Sequence, residues 1–193
     1  MATIELLIDP VLMEIETSFE SERMLLRAPR AGDGAAIYEA TIESLAELRP
    51  WMPWVHDELS ADVSEKSVRR SMAQWILRED MRFSMHDKRT GRFIGGTGLH
   101  RPSWNDRRFE IGYWVRTSEA NKGYVTEAVR ALTQWAFEKL HAQRVEIRMD
   151  TRNERSWRVA ERAGYALECV LVKDRKALDG AQSDTRIYAK TAE

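Results

Sequence analysis

The chain has 193 residues, and its 30 basic and 31 acidic side chains leave a formal net charge of −1. This length supports one compact domain with a substantial core, and the charge balance gives no overall attraction to nucleic acid. A single cysteine excludes a disulfide framework, and the four histidines show no metal-ligand spacing. No apolar run approaches the roughly 20 residues that cross a bilayer. The first ten residues lack the basic start of a signal peptide. We therefore expect a cytoplasmic protein that binds neither nucleic acid nor membrane and holds no metal.

The predicted elements follow a mixed apolar and acidic lead-in, residues 1–18, which we treat as an N-terminal extension, either an arm or an extra strand. Hydrophobic periodicity then predicts alternating strands and helices through the rest of the chain. The strands cover 19–27, 82–87, 93–100, 108–116, 145–149, 165–172 and 185–189, and the helices cover 34–48, 62–79, 122–140 and 153–164. Cys169 is expected in the core. Residues 19–193 are therefore predicted to form one α+β domain around a central mixed sheet.

One segment is the most informative. Glu110-Ile-Gly-Tyr-Trp-Val-Arg116 is typical of an apolar strand, and Asn121-Lys-Gly-Tyr-Val-Thr-Glu-Ala128 is typical of a loop that opens a helix. Gly123 lets the backbone turn tightly and approach a ligand. The first amides of a helix are unpaired donors at the positive end of its dipole, which suits a diphosphate. The segment predicts a phosphate-binding loop.

These motifs, together with Asn153-Glu-Arg-Ser156 and Glu161-Arg-Ala-Gly-Tyr165, resemble the GNAT family of acetyl-CoA-dependent N-acetyltransferases. Within the family, the chain is similar to the RimJ/RimL type, which acetylates ribosomal-protein N-termini. Arg23-Met-Leu-Leu-Arg27 and Leu48-Arg-Pro-Trp-Met-Pro-Trp54 are typical of that type. The resemblance implies one GNAT-fold domain, with a mostly antiparallel sheet whose strands splay apart and about four flanking helices.

The resemblance also implies that acetyl-CoA is the cosubstrate. Its pantetheine arm would pair with a free strand edge, and its diphosphate would rest on loop amides. The implied cofactor-binding residues are Trp114, Val115, Arg116, Asn121, Lys122, Gly123, Tyr124, Val125, Thr126, Asn153 and Ser156. Ala120 and Val125 depart from the usual loop pattern, and the β-branched Val125 is expected to crowd the diphosphate.

Acetyl transfer needs a base for the amine and an acid for the leaving thiolate. Glu110, at the start of the predicted cofactor strand, is the predicted base; the alternative is a salt bridge with Arg107 or Arg108. The tyrosine that often serves as the acid is replaced by Ala160, so Ser156 is the predicted acid. The alternative for Ser156 is a bond to a backbone amide in the first helical turn.

The acceptor is expected to contact Trp51, Trp54 and Tyr113; for the two tryptophans the alternative is packing in the core below their loop. The predicted function is the transfer of an acetyl group to a primary amine, directly within a ternary complex. The favoured acceptor is the N-terminal amine of a peptide or protein. The alternatives are a polyamine or other small amine as acceptor, or a catalytically silent acyl-CoA-binding module. A homodimer is also implied.

Overall fold

A computed structural model of the chain describes residues 9–55 and 58–192. Eight strands form one sheet, and their bounds are β1 Ser18–Glu20, β2 Met24–Arg27, β3 Met81–Asp87, β4 Phe93–Ser103, β5 Arg108–Val115, β6 Arg144–Asp150, β7 Ala166–Lys176 and β8 Gln182–Thr191. The helices are α1 Gly34–Glu43, α2 Leu45–Leu48, α3 Ala61–Ile76, α4 Tyr124–Leu140 and α5 Glu154–Arg162. Short 3₁₀ turns lie at Pro10–Leu12 and Thr117–Glu119.

The strand order is β1-β2-β3-β4-β5-β6-β8-β7. Every neighbouring pair is antiparallel except β5 and β6, which run parallel. The fold is therefore the predicted single α+β domain with a mixed, mostly antiparallel sheet.

The parallel pair separates early. Registered partners join β5 and β6 only from Arg108 with Arg144 to Glu110 with Glu146, whereas β5 continues to Val115 and β6 to Asp150. The last five residues of β5 therefore have a sheet partner on the β4 side and a gap on the β6 side. This gap is the predicted splay.

The core lies mainly under α4. Val129, Leu132 and Ala136 recur at three- and four-residue spacing and are fully buried against β-strand residues such as Phe109 and Ile111. This stripe is the periodicity that predicts the helix from sequence. Because α4 is packed along its length, its first turn is held at a fixed position beyond the end of β5.

Two predicted elements are interrupted. The strand expected over 19–27 is a hairpin of β1 and β2, because Ser21 and the Arg23 amide turn to bind the Glu127 carboxylate of α4 at 2.7 and 2.8 Å. The helix expected over 34–48 breaks at Ser44, whose Oγ accepts a hydrogen bond from the Thr117 amide at 2.9 Å. At each break, a hydrogen bond to a residue distant in sequence takes the place of the continuous strand or helix.

The prediction that Cys169 packs in the core is wrong. Cys169 is exposed, because β7 is the outer strand of the sheet and nearly all of its residues face solvent. Of the lead-in, residues 1–8 lie outside the described residues; the Arg78 guanidinium holds the following turn by bonds to the carbonyl oxygens of Pro10 and Met13. The division of the chain at residue 18 stays a prediction.

Candidate functional site

An open groove of about 770 Å³ crosses the middle of the sheet. Its floor is the β4–β5 part of the sheet, its walls come from α1, α3 and the loop before α3, and it reaches the start of α5 through the gap between β5 and β6. Seven of the predicted site residues line it: Trp51, Trp54, Glu110, Tyr113, Trp114, Asn153 and Ser156. The structure thus brings the predicted acceptor and catalytic residues into one continuous space.

The edge of β5 facing the gap carries free backbone groups. The Arg116 amide donates to the Ile94 carbonyl oxygen at 2.9 Å, which sets the phase of the β4–β5 ladder. Because antiparallel partners alternate, the amides and carbonyls of Tyr113 and Val115, which lie beyond the last registered β5–β6 pair, point away from β4. They face the gap, where an extended chain can pair with them as an added strand.

The loop before α4 presents a second set of free groups. Asn121 and Gly123 have positive φ values of 61° and 84°, and the helix begins at Tyr124. In the described part of the chain, the amides of residues 121–126 have no recorded acceptor, whereas the Glu127 amide already bonds the Gly123 carbonyl. A left-handed residue followed by a helix start turns successive amides toward one point, which is an anion-binding arrangement.

Arg23 supports this loop, a role that the sequence motif did not reveal. Its guanidinium donates to the Lys122 carbonyl at 3.1 Å and to Glu127 at 2.7 Å, and it lies 4.3 Å from the centre of the Tyr124 ring. The Lys122 ammonium is paired with Glu119 at 2.9 Å. The loop is therefore tied to the turn before β2 and to its own flank, while its amides remain open.

The side chain of Val125 contacts the core rather than the loop's open side. Val125 and Tyr124 are partly buried and pack against the main hydrophobic cluster, and Thr126 is buried. The expected crowding of a diphosphate by Val125 therefore has no basis in this geometry. Tyr124, Val125 and Thr126 therefore present their backbone amides, and not their side chains, to an anion.

Arg116 differs from the other predicted cofactor residues. Its side chain is only 4% exposed and forms ion pairs with Glu39 and Glu43 of α1. The hydrogen bond from Arg116 is the largest cause that lowers the pKa of Glu43, to about 2. The guanidinium thus fastens α1 to the end of β5 and is not presented to a ligand.

At the other end of the gap, Ser156 faces Tyr113. The Tyr113 hydroxyl lies 3.0 Å from Ser156 Oγ and donates to the Ser156 carbonyl at 2.9 Å. Burial raises the pKa of Tyr113 to about 12. Asn153 caps α5 as predicted, since its Oδ1 accepts from the Ser156 amide at 3.2 Å. The Ser156 hydroxyl is therefore hydrogen-bonded to the Tyr113 phenol and not to a backbone amide.

Glu110 lies on the groove floor with its side chain 17% exposed. Its carboxylate pairs with Arg101 of β4 at 3.0 Å, not with Arg107 or Arg108, the partners that the sequence alternative names. This partner is itself 76% exposed, so the contact is a surface ion pair of small energy. The carboxylate remains accessible from the groove.

The tryptophan loop forms one wall of the groove. Trp54 is 42% exposed, and its ring packs 5.5 Å from that of Trp114 on β5. Trp51 is half-buried beside it. The alternative that Trp54 fills the core is therefore wrong, because an exposed indole in the groove is available for contact.

Two groove residues were not singled out from sequence. His100 on β4 and Asp80, which precedes β3, lie opposite one another, with His100 Nδ1 2.6 Å from Asp80 Oδ1. Twenty residues separate them in the chain, so only the pairing of β3 with β4 reveals the contact.

The described residues contain no group of three or more His, Cys, Asp or Glu side chains placed to hold a metal ion. Across residues 9–55 and 58–192, no helix is long and apolar enough to cross a membrane.

Comparisons with known proteins agree with this geometry. Residues 23–166 match the family model described as "Acetyltransferase (GNAT) domain". The chain is 30% identical over 173 residues to "Putative ribosomal N-acetyltransferase YdaF" of Bacillus subtilis (strain 168), covering 88% of this chain and 91% of that protein. It is 26% identical over 184 residues to the ribosomal-protein-serine acetyltransferase of Escherichia coli (strain K12), covering 91% and 96%.

Among solved structures, the fold is similar to that of RimL, the ribosomal L7/L12 alpha-N-protein acetyltransferase, in complex with coenzyme A. The TM-score is 0.80 with 20% identity, covering 89% of this chain and 95% of that one. The chain belongs to the GNAT acetyltransferase family. It is an acetyltransferase with ribosomal-protein acetyltransferases among its relatives, which confirms the predicted family, the RimJ/RimL resemblance and the predicted enzyme class.

Proposed function

We propose that the protein transfers the acetyl group of acetyl-CoA to the N-terminal amine of a peptide or protein, directly within a ternary complex. One observation carries the proposal. A single groove joins an exposed aromatic wall, the free edge of β5 and the Tyr113–Ser156 hydroxyl pair, and the open loop amides lie beyond the same strand.

The cosubstrate is assigned by the kind of donor that each part supplies. The amides of residues 121–126 suit a diphosphate, because they are convergent and lack protein acceptors within the described chain. The free backbone groups of Tyr113 and Val115 suit the amides of a pantetheine arm. Asn153 and Ser156 lie across the gap from them. RimL, a relative in fold, has been solved in complex with coenzyme A, which supports this assignment.

The reaction forms a C–N bond and breaks a C–S bond. The amine nitrogen attacks the thioester carbonyl, and the sulfur leaves as a thiolate that must take a proton. Ser156 is the proposed donor, with the Tyr113 phenol bonded behind it. Because the pKa of Tyr113 is about 12, the phenol keeps its proton at neutral pH and can support the serine oxygen as it becomes more basic.

The acceptor enters from the side of Trp54 and Trp114. Indole rings suit both an ammonium group and the apolar parts of a peptide. The carboxylate of Glu110, on the groove floor, draws the amine toward β5 and is the predicted base. A peptide is favoured over a small amine because the groove is open and continues from the tryptophan wall to the start of α5, and because two relatives carry ribosomal names.

The test is release of free thiol from acetyl-CoA with a panel of acceptors. The panel holds peptides that begin with serine or alanine, the same peptides with a blocked N-terminus, spermidine and a small aromatic amine. We expect thiol release with the free peptides and none with the blocked ones.

Thiol release with the small amines alone would show that the acceptor is a small amine and not a peptide. If no amine causes thiol release while calorimetry still shows acetyl-CoA binding, the protein is a catalytically silent binding module. We also infer that the protein is cytoplasmic, and that a homodimer is its assembly; light scattering tests the assembly.

A further inference from the structure

We propose that His100, oriented by Asp80, takes the proton from the attacking amine. This inference rests on the proposed acetyl transfer and names the group that serves its acceptor side. Glu110, the base predicted from the sequence, then acts instead as the neighbouring anion that attracts the amine.

The two residues belong to a row that crosses three strands. Met81 pairs with Leu99 in the register of β3 with β4, so Asp80 stands opposite His100 at the end of that ladder. His100 in turn pairs with Glu110 of β5. All three side chains line the groove, so a carboxylate, an imidazole and a second carboxylate lie side by side on its floor.

The hydrogen bond to Asp80 sets the tautomer of the imidazole. Burial works to raise the pKa of Asp80, but the hydrogen bonds and charges of His100 and Arg82 outweigh it, and the pKa lies below its usual value. An ionised carboxylate only accepts hydrogen bonds, so Nδ1 must carry the proton that fills the 2.6 Å contact. Neutral His100 therefore has its free lone pair on Nε2, the form that a proton acceptor needs.

Two glycines leave the space that the imidazole ring of His100 occupies. A Cβ at Gly112 would lie 2.8 Å from His100 Nε2 and Cδ2, and a Cβ at Gly98 would lie 3.1 Å from Cε1. The ring therefore lies flat across β4 and β5 where both strands lack side chains. Nε2 lies at the Gly112 end of the ring. Gly112 directly precedes Tyr113, whose backbone faces the gap.

The strand irregularity after His100 supports the arrangement. The register of β4 with β5 shifts between His100 and Ser103, and Arg101 has a positive φ of 46°. Such bulges redirect side chains near functional sites. Here the bulge lets Arg101 reach Glu110, while His100 keeps its bond to Asp80.

The charged groups around His100 come from three elements. Asp80 and its partner Arg82 lie on the β3 side, Arg101 follows on β4, and Glu110 lies on β5, with Glu79 also on the groove lining. The two arginines are paired with the two carboxylates that flank the histidine. The imidazolium formed in the reaction is therefore stabilised by Asp80, with Glu110 beside it.

The proton balance is complete without another reactant. The incoming ammonium loses one proton to solvent as it binds as the free amine. After attack, the nitrogen passes its second proton to His100 Nε2, the C–S bond breaks, and the thiolate takes the proton of Ser156, which a proton from solvent then replaces. His100 then releases its proton to solvent, and the products are the acetylated amine and the free thiol.

The experiment compares full-length wild type with His100→Gln and Asp80→Asn, using the most active amine of the acceptor panel. We expect His100→Gln to lower kcat about 100-fold and to remove the acidic limb of the pH–rate profile, with acetyl-CoA affinity unchanged. Asp80→Asn should lower kcat about tenfold, because the imidazolium formed in the reaction loses its anion. Asp80→Glu should recover part of the rate. His141→Asn, which changes an exposed histidine in a left-handed turn of the helix end, is the matched control.

A second measurement does not depend on activity or on a stable variant. Nitrogen NMR of wild-type protein should show neutral His100 protonated at Nδ1, and an Nε2-protonated form would overturn the inference. A kcat for folded His100→Gln within about twofold of wild type would overturn it too, leaving acetyl transfer intact. Wild-type protein that acetylates no amine would overturn both the proposed function and this role.

Discussion

The Tyr113 hydroxyl donates to the Ser156 carbonyl at 2.9 Å, and the same oxygen lies 3.0 Å from Ser156 Oγ. The phenol has one proton, so while it bonds the carbonyl the serine hydroxyl must donate to the phenol. A strand residue and the first turn of a helix are thereby joined across the gap between β5 and β6. Turning the serine proton toward a sulfur leaves the phenol free to donate to Ser156 Oγ.

Ser156→Ala should lower kcat about 30-fold, because general-acid assistance to the leaving thiolate is lost. Tyr113→Phe should cause a smaller loss, since Ser156 keeps its own proton. Because the pKa of Tyr113 is about 12, the phenol stays protonated well above neutral pH, and its contribution should be constant across the working range of the enzyme. Steady-state rates with saturating acetyl-CoA, and calorimetry for its affinity, check both variants. Equal rates for Ser156→Ala and wild type would make Ser156 structural.

Gly123→Ala should weaken acetyl-CoA binding about tenfold, because an alanine resists the left-handed backbone that aims the loop amides. Gly91→Ala is the matched control. Gly91 has a φ of 70°, and no atom lies within 4 Å of the place that a Cβ would take, so the backbone cost is similar and the site is untouched. Calorimetry with acetyl-CoA should separate the two variants, whereas their melting temperatures should fall together. Equal affinities would remove the loop from diphosphate binding.

Glu43→Gln should destabilise the fold at neutral pH by about 2 kcal/mol, because among the described residues it leaves the buried Arg116 with the exposed Glu39 as its one anionic partner. Arg116 lowers the pKa of Glu43 from 4.5 to about 2. The stabilisation is therefore complete above the unfolded value and is lost as pH falls from about 4.5 toward about 2.

Urea unfolding at about pH 7 and about pH 3 checks the sign. The difference between wild type and Glu43→Gln should shrink at the lower pH. Glu39→Gln, which changes a side chain 70% exposed, should cost less than about 0.5 kcal/mol. A gap between wild type and Glu43→Gln that is the same at both pH values would contradict the linkage.

Trp54→Ala should raise the KM for the acceptor about tenfold without changing acetyl-CoA affinity, because the exposed indole lies against Trp114 on the proposed acceptor wall. Val172→Ala removes an exposed apolar side chain from β7 and is the control for general surface effects. Initial rates over a range of peptide concentration give both constants. A change in acetyl-CoA affinity alone would place Trp54 on the cosubstrate side.

The elements that carry local signals were predictable. The α4 stripe of Val129, Leu132 and Ala136 follows helical spacing, and Asn153 is a strong cap residue; both predictions are confirmed. The splayed sheet is implied by the family resemblance, and the short β5–β6 register bears it out.

What could not be predicted depends on register between distant segments. Asp80 meets His100 only because β3 and β4 pair as they do, and Arg116 turns inward because α1 supplies Glu43. Similarly, Cys169 looks like a core residue in an apolar run, yet its strand is the outermost one. Strand order in the sheet is not encoded in the periodicity of any one strand.

A crystal structure with coenzyme A tests the central claim most directly. We expect the diphosphate on the amides of residues 121–126, the pantetheine arm along the free edge of β5 at Tyr113 and Val115, and the sulfur beside Ser156. A coenzyme bound elsewhere, with the gap between β5 and β6 closed, would contradict the proposed acetyl transfer.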